Sequence, residues 1–319
     1  MRLGKWTRLF LVFLAIAAVL HVAAAADHQP PYDPRSLMQA ADPGAAGPFT
    51  FAVFGDSYAN PPLAGLMRMV SQRKPSFAVT TGDMVADGSD DTTWTTLSDR
   101  AGWFLSSIPT WPVIGNHELA GNDEVGAASF ARFYNLPQPS YSFTFRKSKF
   151  IVLGYDSVAQ QETFLRTQLA DRSRYDNVFV FRHVPFYTVG SKSTDEVPNK
   201  PTRITDLLRK YKVTAVFAGH DHTYYRTKRD GVSYIISGSA GAGVYDLRRL
   251  SERRPNDSYM GLVGSSYVLH TPKGMNRKAP RKAASSSDWL FAIFVHVNGT
   301  HITAETISQS GKTWERFGL

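Results

Sequence analysis

Apolar runs of strand length recur along this chain, and five of them stop at an Asp, Asn or His. Phe49 to Phe54 ends at Gly55-Asp56, and Phe77 to Thr81 at Gly82-Asp83. Pro112 to Ile114 ends at Gly115-Asn116-His117-Glu118, and Val178 to Phe181 at Arg182-His183. Val213 to Ala218 runs into Gly219-His220-Asp221-His222. Helical spacing appears between the runs, at Leu63 to Gln72, Trp94 to Leu105, Ala127 to Tyr134, Glu162 to Ala170 and Thr202 to Lys210. Buried strands alternating with helices predict an α/β fold. Its strand ends lie at a sheet edge, where sites collect.

Other runs read as antiparallel. Tyr141 to Phe145 and Phe150 to Gly154 flank a charged turn. Tyr224 to Lys228 and Val232 to Ser237 flank Arg229-Asp230-Gly231, and Trp289 to Val297 and His301 to Ile307 flank Asn298-Gly299-Thr300. Both are hairpin signals. Between Tyr245 and Asp288 the pattern fails, and nine Arg and Lys residues stand among Ser and Gly. That stretch reads as a basic insertion loop, either solvated or acting as a lid or docking strip for something anionic.

The start of the chain has a different character. Arg2, Lys5 and Arg8 precede an apolar run from Leu9 to Val22 and an Ala24-Ala25-Ala26 cleavage pattern. This predicts a signal peptide over 1–26, with a run short for a membrane span. No transmembrane segment is expected after its removal, and the protein is expected to be exported. Residues 27–48, rich in Pro, Ala and Gly, read as a flexible leader, and 49–319 as one domain. The chain has no cysteine, which excludes disulfides, a thiol nucleophile and thiolate ligands. Its net charge of +9 favours anionic substrates or surfaces but is too diffuse to indicate a nucleic-acid partner.

The candidate site residues are therefore Asp56, Asp83, Asn116, His183, His220 and His222. Carboxylate, amide oxygen and imidazole together suit hard to borderline divalent ions. Six such groups exceed what one tetrahedral ion needs. They suit two ions about 3.5–4 Å apart, the arrangement used in phosphoryl transfer. Strand-like backbone would point His220 and His222 the same way, whereas a turn between them would send each to a different ion. Two carboxylates leave two divalent ions net positive, able to hold a hydroxide and polarise a phosphate.

Gly82-Asp83, Gly115-Asn116-His117-Glu118, Val180-Phe181-Arg182-His183 and Gly219-His220-Asp221-His222 resemble, in order, the blocks of the calcineurin-like metallophosphoesterases, with Asp56 supplying the opening one. The resemblance covers nearly all of Phe49 to His222 and weakens beyond. It implies a four-layer α/β/β/α sandwich with a dinuclear site at one edge, loaded with Mn, Fe or Zn. It further implies that Asp83 bridges the ions, that Asp56 and His222 complete one shell, and that Asn116, His183 and His220 complete the other. His117 would bind phosphate and protonate the leaving oxygen, and Glu118 would orient its loop. The implied activity is phosphate-ester hydrolysis by a metal-bridged hydroxide.

Two positions depart from the pattern. The family's opening block is often Asp-x-His, and here it is Asp56-Ser57-Tyr58. Tyr58 could ligate weakly, bond a bound water or turn away. The purple acid phosphatases place an iron-binding Tyr three residues after the bridging Asp, where this chain has Ala86. The alternatives are a nucleotide or cyclic-nucleotide phosphodiesterase, an acid phosphatase with an iron-containing centre, and a non-catalytic surface-binding protein. Alternation turns Arg182 away from the site, and Tyr187 and Tyr224 are either pocket walls or core. Ser239 to Val244 reads as a tight turn near the site, since it lacks the Lys-Ser/Thr of a P-loop.

Overall fold

The computed structural model describes residues 32–41, 47–193, 197, 199–283 and 285–319. The expected signal peptide lies outside them. The elements run α1 (Pro34–Ala41), β1 (Phe49–Phe54), α2 (Leu63–Gln72), β2 (Phe77–Thr80), α3 (Asp91–Leu105), β3 (Thr110–Trp111), α4 (Asp123–Tyr134), β4 (Tyr141–Phe145) and β5 (Ser148–Val152). They continue with α5 (Val158–Leu169), β6 (Asn177–Phe181), α6 (Arg203–Lys210), β7 (Ala215–Ala218), β8 (Tyr224–Arg229) and β9 (Val232–Ser237). Six further strands close the chain: β10 (Ser258–Val263), β11 (Ser266–His270), β12 (Arg277–Pro280), β13 (Phe291–Asn298), β14 (His301–Ser308) and β15 (Thr313–Gly318).

Two sheets form, ordered β15-β14-β13-β1-β2-β3 and β12-β11-β10-β8-β9-β7-β6-β5-β4. Strands β1, β2 and β3 are parallel, as are β5, β6, β7 and β9. Alternation along each strand makes the layers. On β6, Phe179 and Phe181 enter the core between the sheets, while Val178 and Val180 join Leu165, Leu169, Leu207 and Leu208 of α5 and α6. On the far face of the first sheet, the Phe54 ring meets Phe104 of α3 at 5.9 Å. Helix, sheet, sheet and helix therefore stack as expected.

The inter-sheet core is aromatic. The Phe150 ring lies within 5.3 Å of Phe51, Phe77, Phe143 and Phe179. Truncating such a ring to alanine costs about 3–5 kcal/mol. That rigidity fixes the strand ends that carry the site.

Three stretches differ from expectation. Part of the supposed leader is the helix α1, started by Asp33, whose carboxylate accepts from Arg35 N at 2.9 Å, and by Pro34 in the first turn. It is held down by Met38 and by Tyr32, whose ring lies 5.0 Å from Phe133. The basic stretch is largely not loop, because β10, β11 and β12 extend the second sheet from β8. Arginine and lysine hid the edge strand β12, where Arg277 lies over the Trp289 ring at 5.0 Å and pairs with Asp288 at 2.7 Å. Strand β15 was also not anticipated. Among the described residues no helix is long and apolar enough to cross a membrane.

Candidate metal centre

The loops after β1 and β2 clasp each other. Asp56 N donates to Gly82 O at 2.9 Å, and Ser57 N and Tyr58 N donate to Asp83 O at 2.9 and 3.0 Å. Asp56, Asp83 and His220 all take positive φ, at 57°, 53° and 68°. Such strain persists where the surroundings enforce it. Gly219 is obligatory, since a Cβ there would sit 2.3 Å from Asp56 Oδ2. Buried Glu118 fastens the third loop. Its carboxylate accepts from Asp83 N, Met84 N, Val85 N and Gly115 N at 2.6–3.3 Å. Burial, and then Asp83, pushes this carboxyl up to about 7.

Side-chain atoms from the five strand ends converge into two groups. In the first, Asn116 Oδ1 lies 2.9 Å from His183 Nε2 and 2.8 Å from His220 Nδ1. The two imidazole nitrogens are 3.2 Å apart, and His183 Nε2 is 3.3 Å from Asp83 Oδ2. In the second, His222 Nε2 lies 3.7 Å from Asp56 Oδ1 and 3.0 Å from the Tyr58 hydroxyl. With ligand bonds of about 2.0–2.2 Å, neighbouring ligands of one ion stand roughly 3 Å apart. The turn at His220 thus sends the two histidines of the pair into different groups.

Backbone carbonyls set the tautomers. His183 Nδ1 donates to Thr81 O at 2.7 Å, and His222 Nδ1 to Gly243 O at 2.9 Å. In its neutral form each ring would present its Nε2 lone pair inward, the usual outer support of a metal-binding histidine. Around His183 that lone pair faces two oxygen acceptors, which is repulsive unless positive charge stands among them. Burial alone would lower the His183 pKa, but Asp83 outweighs it and raises it to about 9. Burial would raise Asp83, yet His183 brings it to about 2. Asp56 is pushed well up by burial, and its Oδ2 is buried with no hydrogen-bond partner. A divalent cation fits this donor set. The ligand atoms of Asp83, His183 and His220 lie within 4.8 Å of one another.

Residues 49–224 match the family model described as calcineurin-like phosphoesterase. The chain belongs to the calcineurin-like phosphoesterase family. It is 28% identical over 216 residues to tartrate-resistant acid phosphatase type 5 of Oryctolagus cuniculus, a match covering 56% of this chain and 64% of that one. It is 30% identical over 206 residues to purple acid phosphatase 18 of Arabidopsis thaliana, covering 59% and 46%. Among solved structures, the purple acid phosphatase PPD1 of yellow lupin superposes with a TM-score of 0.64 at 15% identity, over 86% of this chain and 54% of that one. GAP50, the anchor in the inner membrane complex of Plasmodium, gives 0.63 at 14%, over 86% and 89%. Both share this fold of the phosphoesterase family.

His117 and Tyr58 stand against this group of ligands. His117 N donates to Asp83 Oδ1 at 2.8 Å, and its Nδ1 donates to Ala86 O at 2.7 Å. Its ring lies 4.4 Å from that of Tyr58. Tyr58 has not turned away. It faces His222, and burial, with Asp83 and Asp56, raises its phenol far above the usual range.

Tyr245 was missed by sequence reasoning. Its ring stacks on His222 at 3.9 Å, and its hydroxyl bonds that of Tyr58. Its place directly after the glycine-rich turn was the available signal. That turn passes beneath the site, with Ala242 N donating to Asp56 O at 2.9 Å. Tyr187 and Tyr224 are core: Tyr187 packs under Arg229, and Tyr224 bonds Glu315 between the sheets. Arg182 faces the helical layer, over the Phe186 ring at 4.1 Å.

Proposed function

We propose that the chain is an exported metal-dependent phosphoesterase, its domain spanning 49–319 behind a signal peptide. The observation that carries this reading is the convergence of Asp56, Asp83, Asn116, His183, His220 and His222 at the strand ends, with the ligand atoms of Asp83, His183 and His220 within 4.8 Å of one another. Asn116, His183 and His220 would hold one ion and Asp56 and His222 a second, with Asp83 between them. Tyr58 stands at the second position, where its oxygen is 3.0 Å from a ligand nitrogen. Divalent ions there supply Lewis acidity toward phosphoryl oxygens and an activated water.

The chain's own residues do the rest. Thr81 O and Gly243 O hold the imidazoles in the ligating tautomer. Glu118 locks the loops bearing Asp83 and Asn116 at fixed spacing. His117, with Nδ1–H committed to Ala86 O, has Nε2 as the nitrogen that delivers a proton to the leaving oxygen.

The test is hydrolysis of p-nitrophenyl phosphate and bis-p-nitrophenyl phosphate by protein stripped and refilled with Mn²⁺, Zn²⁺ or iron, with Asp83→Ala as the blank. Metal-restored turnover that the blank lacks supports the reading, and the preferred ester separates monoesterase from diesterase. No turnover with any metal would overturn it in favour of a binding role.

A further inference from the structure

The end of the sandwich away from the metal ligands is where β1, β5 and β6 begin, at Phe49, Ser148 and Asn177. At about 3.3 Å per residue, the run from Asn177 to His183 sets it about 20 Å from the candidate centre. Two hollows open there. One, of about 920 Å³, is walled in part by Arg146, Lys147, Arg174 and Asp176, and the other, of about 450 Å³, by Arg172, Lys210 and Lys212. They meet at Ser173, which lines both.

Six cations here face one carboxylate, whereas the whole chain sets 36 basic residues against 27 acidic ones. Two of the six build the walls. Arg172 donates to Tyr211 O and Lys212 O after α6 and to Tyr175 O before β6, at 3.1, 3.3 and 2.5 Å. Arg146 donates to Gly47 O and Pro48 O. The other four, Lys147, Arg174, Lys210 and Lys212, are exposed, and among the described residues none of them pairs with a carboxylate. Asp171, next to Arg172, is taken by Lys149 at 2.7 Å, and Asp206 of α6 by Arg209 at 3.5 Å. Thr144, Ser173 and Asn298 in the larger hollow are also exposed, and their side chains make no hydrogen bond among the described residues. Trp103, Val125, Tyr155, Val158 and Val263, the large apolar side chains that are exposed, line neither hollow.

We infer that the two hollows form one docking trough for an acidic polysaccharide. The four exposed cations meet its carboxylate or sulfate groups, with a strength that salt screens. The hydroxyls of Thr144 and Ser173 and the amide of Asn298 both donate and accept, as sugar hydroxyls do. The half-buried Tyr175 ring in the same wall offers an apolar face to a sugar. A flexible chain follows the passage at Ser173 from one hollow to the next. A bilayer is the poorer fit, because it would meet only the rims and find no apolar side chain to take up. A polysaccharide held at this end leaves the candidate metal centre open at the other, whatever reaction occurs there.

Fluorescence anisotropy with labelled heparin, over a series of sodium chloride concentrations, tests the trough on the purified protein. Lys147→Gln with Arg174→Gln, and Lys210→Gln with Lys212→Gln, each take two charges from one hollow. Lys278→Gln with Lys282→Gln takes the same charge from exposed positions outside both. Thermal melts confirm that every variant is folded. Each trough pair is expected to weaken heparin binding about tenfold and to flatten its salt dependence, while the outer pair changes neither. Asn298→Ala is expected to weaken heparin binding about fivefold, as loss of a neutral hydrogen bond implies, and to leave binding of long-chain polyphosphate unchanged. Equal losses from the outer pair would reduce the effect to net charge and overturn the inference. So would wild-type heparin binding by Asn298→Ala. Tighter wild-type binding to vesicles of equal parts phosphatidylglycerol and phosphatidylcholine, lost in the same trough pairs, would overturn it in favour of a bilayer.

Discussion

The Tyr58 hydroxyl stands 3.0 Å from Nε2 of His222, whose other nitrogen donates to the Gly243 carbonyl. Nε2 is therefore the acceptor and Tyr58 the donor, so the phenol occupies a direction that a ligand of the same ion would take. Removing this oxygen by Tyr58→Phe is expected to weaken retention of one metal equivalent about tenfold, within the range for outer-shell partners. Tyr58→His, which restores the family's commoner residue, is expected to tighten it. Competition with a chromogenic chelator measures both. In ferric protein, a visible phenolate charge-transfer band lost in Tyr58→Phe would show direct ligation.

On the proposed reading His117 protonates the leaving oxygen, so its removal should matter most where the leaving group needs a proton. His117→Asn is expected to lower kcat about 10²–10⁴-fold on phenyl phosphate and much less on p-nitrophenyl phosphate. Steady-state kinetics on the two esters give the comparison. Equal losses on both would assign His117 to positioning alone.

Glu118 accepts four backbone N–H groups from two loops. Glu118→Gln replaces one acceptor oxygen with a donor that opposes those N–H groups. The expected cost is about 2–3 kcal/mol of stability, with kcat falling more than KM rises because the ligand loops lose their spacing. Denaturant melts and kinetics on the same preparation check both effects.

Asp288 ties the basic strands to the far hairpin, accepting from Ser310 Oγ at 2.6 Å and pairing with Arg277 and Lys312 at 2.7 and 3.0 Å. The Ser310 hydroxyl first, and then Arg277 and Lys312 against the opposing effect of burial, hold its carboxyl far below the usual range. A carboxyl lowered by folding stabilises above its unfolded value, near 3.9, and loses that contribution as pH falls toward the folded value. Asp288→Asn should therefore cost about 2 kcal/mol at pH 7, and the gap to wild type should close below about pH 4. Thermal melts across that range measure it.

The strand ends were legible because signals coincided there: a short continuous apolar run followed by an Asp, Asn or His, directly after a glycine at every end but that of His183. Gly219 shows why the glycine belongs there, since the Asp56 carboxylate fills the place of its side chain. What supports the ligands was not legible. Thr81 and Gly243 act through carbonyls that any residue possesses, and Tyr245 reaches His222 only through tertiary stacking. Strand β12 escaped because arginine and lysine open it, β10 and β11 because Ser and Gly interrupt their apolar residues, and α1 because its Asp33-Pro34 start lies within alanine, proline and glycine.

The most direct test counts metal. Protein stripped with chelator, refilled with Mn²⁺ or Zn²⁺ and freed of excess should carry two equivalents per chain by plasma mass spectrometry. Asp83→Ala should retain one or fewer and lose turnover of p-nitrophenyl phosphate in parallel. Two equivalents retained by Asp83→Ala, or none bound by the wild type, would contradict the account.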